Sequence, residues 1–126
     1  MQEGKIGQWG LSELDADTIR RAHAVCPLAA VESEYNMMWR VVEKEVLPTC
    51  RELGIALVPF SPLAKGFMSG TLNKETTFAK NDSRSRYSRF KPEVMEANQV
   101  LIDLVHSYTE KYHATDAQIS LAWLMA

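Results

Sequence analysis

The stretch Gly54–Gly70, GIALVPFSPLAKGFMSG, decides the fold of this chain. Its first glycine can end a helix in the left-handed conformation. The run Ile55–Val58 is apolar without alternation, which predicts a strand buried on both faces, as in a parallel sheet covered by helices. Pro59 has no amide hydrogen to donate, so the paired strand is expected to end near it. The glycine-spaced turn that follows is either a plain tight turn or a phosphate-binding turn at a strand end.

Strands and helices are predicted to alternate before this stretch. Ile6–Leu11 is predicted to be the first strand and Leu28–Val31 the second. Asp15 suits the N-cap of a helix of about ten residues between them, because its carboxylate can accept from first-turn amides. The predicted buried stripe of that helix consists of Ile19, Ala22 and Val25.

A second helix is predicted over Val42–Leu53, with Pro48 either kinking it or marking a late start. The resulting order of strand, helix, strand, helix, strand predicts parallel strands joined by right-handed crossovers. The sequence therefore favours an α/β fold.

The chain turns polar over Thr71–Lys91, which predicts a long loop that is either functional or disordered. Pro92 suits the first position of a helix that is expected to reach Tyr112. Thr115 and Gln118 have the capping-box spacing that begins a final, largely apolar helix. The predicted apolar stripe of the helix before it consists of Val94, Leu101, Leu104, Val105, Tyr108 and Tyr112.

Composition narrows the possible partners and compartments. The 126 residues are 46% hydrophobic and carry a net charge of -2, which gives no case for nucleic acid or for an anionic membrane as partner. Cys26 and Cys50 show no metal-ligand spacing and are interpreted as reduced thiols of a cytoplasmic protein. No apolar run approaches the length of a membrane span, and no metal site is expected.

Several stretches, in the same order, resemble the aldo-keto reductase family. Gly54–Gly70 is similar to the family's seventh strand and the loop after it, which runs roughly G-I-x-hydrophobic-x-aromatic-S-P-L-x-x-G. Gly10–Glu13 and Val31–Tyr35 resemble the ends of the fifth and sixth strands, and Arg84–Phe90 and Ala117–Leu124 resemble segments after the seventh.

This resemblance implies a parallel βαβαβα fragment of a (β/α)8 TIM barrel, with three strands plus helices. A closed barrel of this kind needs about 200–250 residues, so 126 residues are expected to form one partial domain over residues 1–126. If the barrel is completed at all, oligomerisation is expected to complete it.

The resemblance also implies reduction of a carbonyl to an alcohol by hydride transfer from a nicotinamide cofactor, usually NADPH. The positions that match the family's nicotinamide carboxamide contacts are Ser12, Glu13 and Glu32. Where the family commonly has Gln, this chain has Glu32, whose carboxylate can accept a hydrogen bond but not donate one. Phe60 matches the aromatic residue that stacks on the nicotinamide ring.

The loop after the third predicted strand matches the family's pyrophosphate contacts. Ser61, Leu63 and Gly66 match the backbone that approaches the pyrophosphate, and Lys65 and Arg84 are expected to add charge-assisted contacts. Each candidate also has an ordinary interpretation, as core aromatic, turn former or solvated loop charge.

No catalytic residue is assigned. The family's proton-donor Tyr and its supporting Asp, Lys and His come from the first four strands, which the resemblance does not cover. His23, His106 and His113 lie in or beside predicted helices, and Tyr35 follows a strand but has no Lys partner that the sequence identifies. The chain alone is therefore expected to be inactive, and the carbonyl substrate and the choice of NAD or NADP remain open.

Two alternatives to a fragment of an enzyme remain. One is a non-catalytic, self-associating α/β module, because three parallel strands leave two open edges that template association, and a homodimer or larger homo-oligomer is expected. The other is that the missing half is encoded immediately upstream, which the DNA sequence before Met1 would reveal.

Overall fold

The computed structural model describes residue 1 and residues 3–126. Within them the chain forms two compact units, Met1–Ser61 and Pro62–Ala126. The expectation of a single partial barrel domain stays a prediction.

The elements of the first unit are β1 (Gly10–Ser12), α1 (Ala16–Val25), β2 (Ala30–Glu34), a 3-10 turn (Val41–Glu43), α2 (Val46–Leu53) and β3 (Ala56–Phe60). The three strands form an open, fully parallel sheet in the order β1-β2-β3. The predicted alternation of strands and helices and the α/β class are therefore confirmed.

Two strands differ in their bounds from the prediction. The second strand was predicted at Leu28–Val31, but β2 spans Ala30–Glu34, and each of its five residues pairs with a residue of β3. The first strand was predicted at Ile6–Leu11, but its pairing begins only at Gly10.

Both helices of the first unit pack on one face of the sheet. Leu11, Val31 and Leu57 are register partners on that face, and they pack with apolar residues of α1 and α2. The buried residues of this core are Ile19, Leu28, Val31, Cys50 and Ile55. The prediction that the third strand is buried on both faces is wrong, because the helices cover only one face and Val58 on the other is 46% exposed.

Local sequence signals set the helix ends of the first unit. The Asp15 carboxylate accepts from the Thr18 amide at 2.9 Å, and the helix it begins buries Ile19 completely. Val25, which was expected in the buried stripe, is the last residue of α1 and is 88% exposed. Pro48 is the third residue of α2, where a missing amide costs little, so of its two interpretations the late start is confirmed.

The third strand ends near Pro59 as predicted, although it includes the proline and continues one residue further, to Phe60. The Ala56 amide donates to the Ala29 carbonyl, so amides two and four residues later also face β2. The nitrogen of Pro59 therefore faces the open edge, where a proline removes no ladder hydrogen bond.

The second unit is helical. Pro92 occupies the first turn of its helix, and Thr115 and Gln118 form the predicted capping box. The polar segment before Pro92 contains short turns and packs through Phe78 and Phe90, whose ring centroids lie 5.3 Å apart. The helical elements are 3-10 turns at Ala64–Ser69, Ser83–Arg86 and Ser88–Phe90, followed by α3 (Pro92–Ala97), α4 (Gln99–Tyr112) and α5 (Asp116–Met125).

The helix that was predicted to run unbroken from Pro92 to Tyr112 is interrupted at Asn98. Its φ and ψ are -93° and 1°, and its side-chain amide donates to the Val94 carbonyl at 2.8 Å. Such local side-chain bonds compete with the helical ladder. The buried residues of the two helices on either side of the break are Met95, Ile102 and Val105. Part of the predicted stripe is exposed, namely Leu104, Tyr108 and Tyr112.

No helix among the described residues is long and apolar enough to cross a membrane.

Gly10 marks the closest approach of the first two strands. A Cβ at this position would lie 2.6 Å from the Ala30 carbonyl oxygen, a backbone atom that cannot move without breaking the ladder. We expect Gly10→Ala to lower the free energy of unfolding by about 1–3 kcal/mol, measured by urea denaturation. Gly7→Ala is the control, because nothing lies within 4 Å of a Cβ there. Equal midpoints for the two variants would contradict the close approach.

Candidate functional site

The carboxyl ends of the strands present polar side chains on the face without helices. The register pairs Ser12 with Glu32, and Glu32 with Val58. Register partners in a parallel sheet point to the same side, so the Ser12 hydroxyl and the Glu32 carboxylate are neighbours, and both residues are exposed. The sheet thus brings two of the predicted carboxamide contacts together.

Glu13 links the ends of β1 and β2. Its amide donates to the Glu32 carbonyl at 2.9 Å, and its carboxylate accepts from the Glu34 amide at 2.8 Å. Its φ is 55°, a left-handed conformation that costs a residue with a side chain roughly 1–2 kcal/mol. One carboxylate oxygen is therefore engaged by the backbone, and a carboxylate has a second oxygen with which to accept a ligand donor.

The third strand ends at Phe60, which is half-buried, and Ser61 turns the chain with a φ of 48°. The Asn36 side chain holds this turn, because its amide nitrogen donates to the Ser61 carbonyl at 3.0 Å. Its oxygen accepts from the Met38 amide at 3.0 Å, and Asn36 is completely buried. Asn36 was not identified from the sequence, because the residue that it supports lies 25 positions further along the chain.

The second unit contains the glycine-spaced loop with Leu63, Lys65 and Gly66. The Leu63 carbonyl accepts from the amides of Gly66, at 2.9 Å, and Met68, at 3.1 Å, which closes a tight turn. Lys65 has a φ of 56° and Gly66 a φ of 103°, the latter a conformation that only glycine adopts readily. The hydroxyl of Ser120 in α5 donates to the Met68 carbonyl at 3.0 Å, so this helix supports the loop through a hydrogen bond.

Arg84 lies against this loop. Its Nη1 donates to the Lys65 carbonyl at 3.4 Å, and its guanidinium carbon lies 4.7 Å from the centroid of the Phe78 ring. Its Nη2 donates to the Asp82 carboxylate at 2.7 Å. Hydrogen bonds from Arg84 hold the pKa of Asp82 below its usual value. The structure therefore brings Arg84 together with Lys65 and Gly66, and it adds Asp82, which sequence reasoning missed although it stands two residues before the arginine.

Lys65 is oriented by an aromatic ring. Its ammonium nitrogen lies 5.2 Å from the centroid of the Tyr87 ring, within the range of a cation–π interaction. The loop thus carries two cationic groups, Lys65 and Arg84, beside Gly66. This charge suits an anionic ligand.

Tyr35, His23 and His106 have structural partners. The Tyr35 hydroxyl donates to Glu43 at 2.8 Å, and burial together with this carboxylate raises the pKa of Tyr35, which makes it a poorer proton donor near neutral pH. His23 Nδ1 accepts from the Leu28 amide, and His106 pairs with Asp116. The described residues contain no group of three or more His, Cys, Asp or Glu side chains placed to hold a metal ion.

A cavity of about 400 Å³ lies within the first unit beside Glu13. Its ionisable lining groups are four carboxylates and one amine, from Glu13, Asp15, Glu34, Glu45 and Lys44. This excess of negative charge disfavours phosphate groups, so the pyrophosphate of a dinucleotide is not assigned to the cavity.

Comparisons with known proteins show to which family the chain is related. The profile of the Aldo/keto reductase family matches residues 1–126. The chain is 42% identical over 125 residues to "Probable aldo-keto reductase 1" of Glycine max, and the match covers 99% of this chain and 36% of that protein. A solved structure of a glycerol dehydrogenase from Gluconobacter oxydans matches with a TM-score of 0.91 at 27% identity, over 98% of this chain and 38% of the other.

The chain therefore belongs to the aldo/keto reductase family. It spans little more than a third of the length of these two relatives, at 36% and 38%. Its three parallel strands and their helices correspond to a fragment of the family's TIM barrel, and the sheet is not closed. The predicted family and fold class are confirmed.

The Asn36 brace can be tested by removing its donor. Asn36→Asp places a carboxylate against the Ser61 carbonyl, so we expect the free energy of unfolding to fall by about 1–3 kcal/mol at neutral pH. The loss should shrink as the pH is lowered, because a protonated acid can again donate to that carbonyl.

Asn73→Asp is the matched control for this substitution. The Asn73 side chain accepts from the Glu75 amide, a role that a carboxylate fills equally well. Urea denaturation at several pH values measures both variants. Identical unfolding of Asn36→Asp and Asn73→Asp would show that the side chain does not hold the turn.

Proposed function

We propose that this chain carries part of the nicotinamide-nucleotide site of an NADP-dependent aldo-keto reductase, which reduces a carbonyl to an alcohol by hydride transfer. The observation that carries the proposal is the strand register, which sets Ser12 beside Glu32 at exposed strand ends, with Phe60 at the end of β3. These are the residues that the family pattern assigns to the nicotinamide. The solved relative is, by its title, a glycerol dehydrogenase, and glycerol is an alcohol.

The donors and acceptors at the strand ends match a carboxamide in one orientation. The Glu32 carboxylate can accept only, so it takes the amide hydrogens of the ligand, and the Ser12 hydroxyl donates to the ligand's carbonyl oxygen. Glu13 offers a further acceptor. The half-buried ring of Phe60 provides a face for stacking on the nicotinamide, and it is held at the strand end by the hydrogen bond from the Tyr35 amide to its carbonyl.

The second unit supplies contacts for the pyrophosphate. Lys65 and Arg84 bring positive charge to Gly66, where the absence of a side chain lets phosphate oxygens approach the backbone. Leu63 contributes backbone in the same loop. Ser61, the last residue of the first unit, is the other position that the family pattern assigns to the pyrophosphate. When bound, the cofactor supplies the hydride, and the residues of this chain hold and orient it.

We assign the protein to the cytoplasm. Cys26 and Cys50 are free thiols, which persist in reducing compartments.

The first test is a titration of NADPH against tryptophan fluorescence. We expect weak binding, with a dissociation constant well above low micromolar values. Phe60→Ala should lower the affinity at least about fivefold, because stacking of a base on an aromatic ring contributes about 1–3 kcal/mol. Tyr112→Ala, which removes an exposed aromatic ring from α4, is the control and should leave the affinity unchanged. Saturation at low micromolar NADPH, or an unchanged affinity of Phe60→Ala, would contradict the proposal.

The second test is turnover. We propose that this chain alone does not reduce carbonyls, because the family's general acid has no counterpart among its residues, and such a group contributes about a hundredfold to ten-thousandfold. NADPH oxidation with a panel of aldehydes should equal the rate without enzyme. Turnover above that background by the pure protein would refute the proposal.

A second candidate function is self-association, favoured by the 46% exposure of Val58 on the face without helices. The open edges of a parallel sheet can pair with strands of another chain, and its face without helices can be covered by another chain. We therefore propose a homodimer or larger homo-oligomer.

Light scattering over a dilution series measures this assembly. The mass should exceed that of the monomer, and Leu121→Arg on α5 should reduce it if this helix forms the contact, whereas Val25→Arg, at a position already 88% exposed, should not. A folded monomer at every concentration would refute self-association.

A further inference from the structure

Arg84 in the second unit is fixed along one edge of its guanidinium group. Nε lies 3.1 Å from both oxygens of the Asp82 carboxylate, and Nη2 lies 2.7 Å from Oδ2. This two-point contact fixes the plane and the direction of the group, as a single hydrogen bond would not. Nη1 then points toward the loop, where it reaches the Lys65 carbonyl at 3.4 Å.

The Asp82 carboxylate is itself held in place by the backbone. Its Oδ1 accepts from the Arg84 amide at 2.9 Å, and the Asp82 amide donates to the Ala79 carbonyl at 2.9 Å. The Ser85 amide and hydroxyl both donate to the Asp82 carbonyl, at 3.1 and 2.7 Å. The aspartate is therefore a rigid anchor, whereas the arginine that it binds has a long and flexible side chain.

Gly66 lies next to Nη1 of Arg84. A Cβ built at Gly66 would lie 3.5 Å from Nη1 of Arg84, so the corner of the guanidinium group that Asp82 does not hold faces the backbone of the loop. The centroid of the Phe78 ring lies 4.7 Å from the guanidinium carbon. A ring and a carboxylate therefore hold the guanidinium group beside a glycine.

We infer that Asp82 is a positioning residue for the diphosphate of the bound nucleotide, which it serves by directing Nη1 of Arg84 toward Gly66. The inference rests on the proposed function and adds a residue to that site. Asp82 does not touch the ligand. Its contribution is preorganisation, because an arginine that is already oriented loses less side-chain entropy when it binds an anion.

The direction in which one substitution changes the affinity for NADP⁺ distinguishes this role from a simple effect of charge. Removing a carboxylate next to Arg84 makes the loop more positive, so charge alone would tighten the binding of an anion. Loss of orientation would weaken it. We expect Asp82→Ala to weaken NADP⁺ binding about fivefold to tenfold in isothermal titration calorimetry at fixed ionic strength. Asp82→Asn, which keeps acceptor oxygen but loses the charge, should fall between this variant and the native chain.

Glu75→Ala is the matched control, because it removes the same charge from the same polar segment. It should leave NADP⁺ binding unchanged or slightly tighter. Nicotinamide mononucleotide, which has no diphosphate, should bind the native chain and Asp82→Ala equally. Thermal unfolding of each variant confirms that the fold is retained.

The double variant Asp82→Ala/Arg84→Ala tests whether Asp82 acts through the arginine. It should bind NADP⁺ as Arg84→Ala alone does, because an aspartate that only orients Arg84 has no effect once Arg84 is gone. Additive losses, or tighter binding by Asp82→Ala, would overturn the inference and leave the nucleotide site standing. A native chain that does not bind NADP⁺, or that is unaffected by Arg84→Ala, would overturn the proposed phosphate contact itself.

A measurement without ligand tests the geometry separately. The Nε–H resonance of Arg84 in ¹⁵N-labelled protein should be sharp and slow to exchange in the native chain, and it should broaden or exchange faster in Asp82→Ala. The same resonance behaviour in both proteins would show that Asp82 does not hold the guanidinium group, and it would overturn the inference whatever the nucleotide result.

Discussion

The parallel register of the three strands is the constraint on which the first unit depends. Both crossover helices, α1 and α2, pack on the same face, so the pairs formed by Leu11, Val31 and Leu57 are covered. The same register leaves Ser12 and Glu32 side by side on the bare face, at the ends where α/β proteins bind ligands. A shift by one residue would bury these polar groups and expose the core, so register and candidate site are specified together.

The turns around the candidate site combine unfavourable backbone conformations with supports from elsewhere in the same unit. Ser61 is left-handed and is held by Asn36, and Glu13 is left-handed and is tied to the end of β2. In the second unit, Lys65 is left-handed within a loop that Ser120 supports. Such strain persists only where surrounding contacts compensate for it, and it is concentrated at functional sites in proteins generally.

The sequence predicts the features that depend on neighbours along the chain. The N-cap at Asp15, the capping box at Thr115 and the helix end at Gly54 all follow from local chemistry, and all are present. The family pattern located the strand ends and the loop for the same reason, since both are contiguous motifs. The parallel alternation was predictable because buried runs and helical stripes differ in period.

The sequence did not predict features that depend on contacts between residues far apart in the chain. It also did not predict which face of a strand the helices cover. The apolar run around Val58 looks fully buried, but burial depends on which face the helices cover. Pro59 is tolerated only because its nitrogen faces an open edge. Asn36 supports a turn 25 residues further along the chain, and a contact of that separation has no local signature.

The most direct measurement for the strand-end site is saturation-transfer NMR with NADP⁺ and the 126-residue chain. Saturation should reach the nicotinamide protons most strongly, and Phe60→Ala should reduce the nicotinamide signals while it spares the adenine signals. Equal saturation of both rings, unchanged by Phe60→Ala, would contradict the assignment of the strand ends to the nicotinamide.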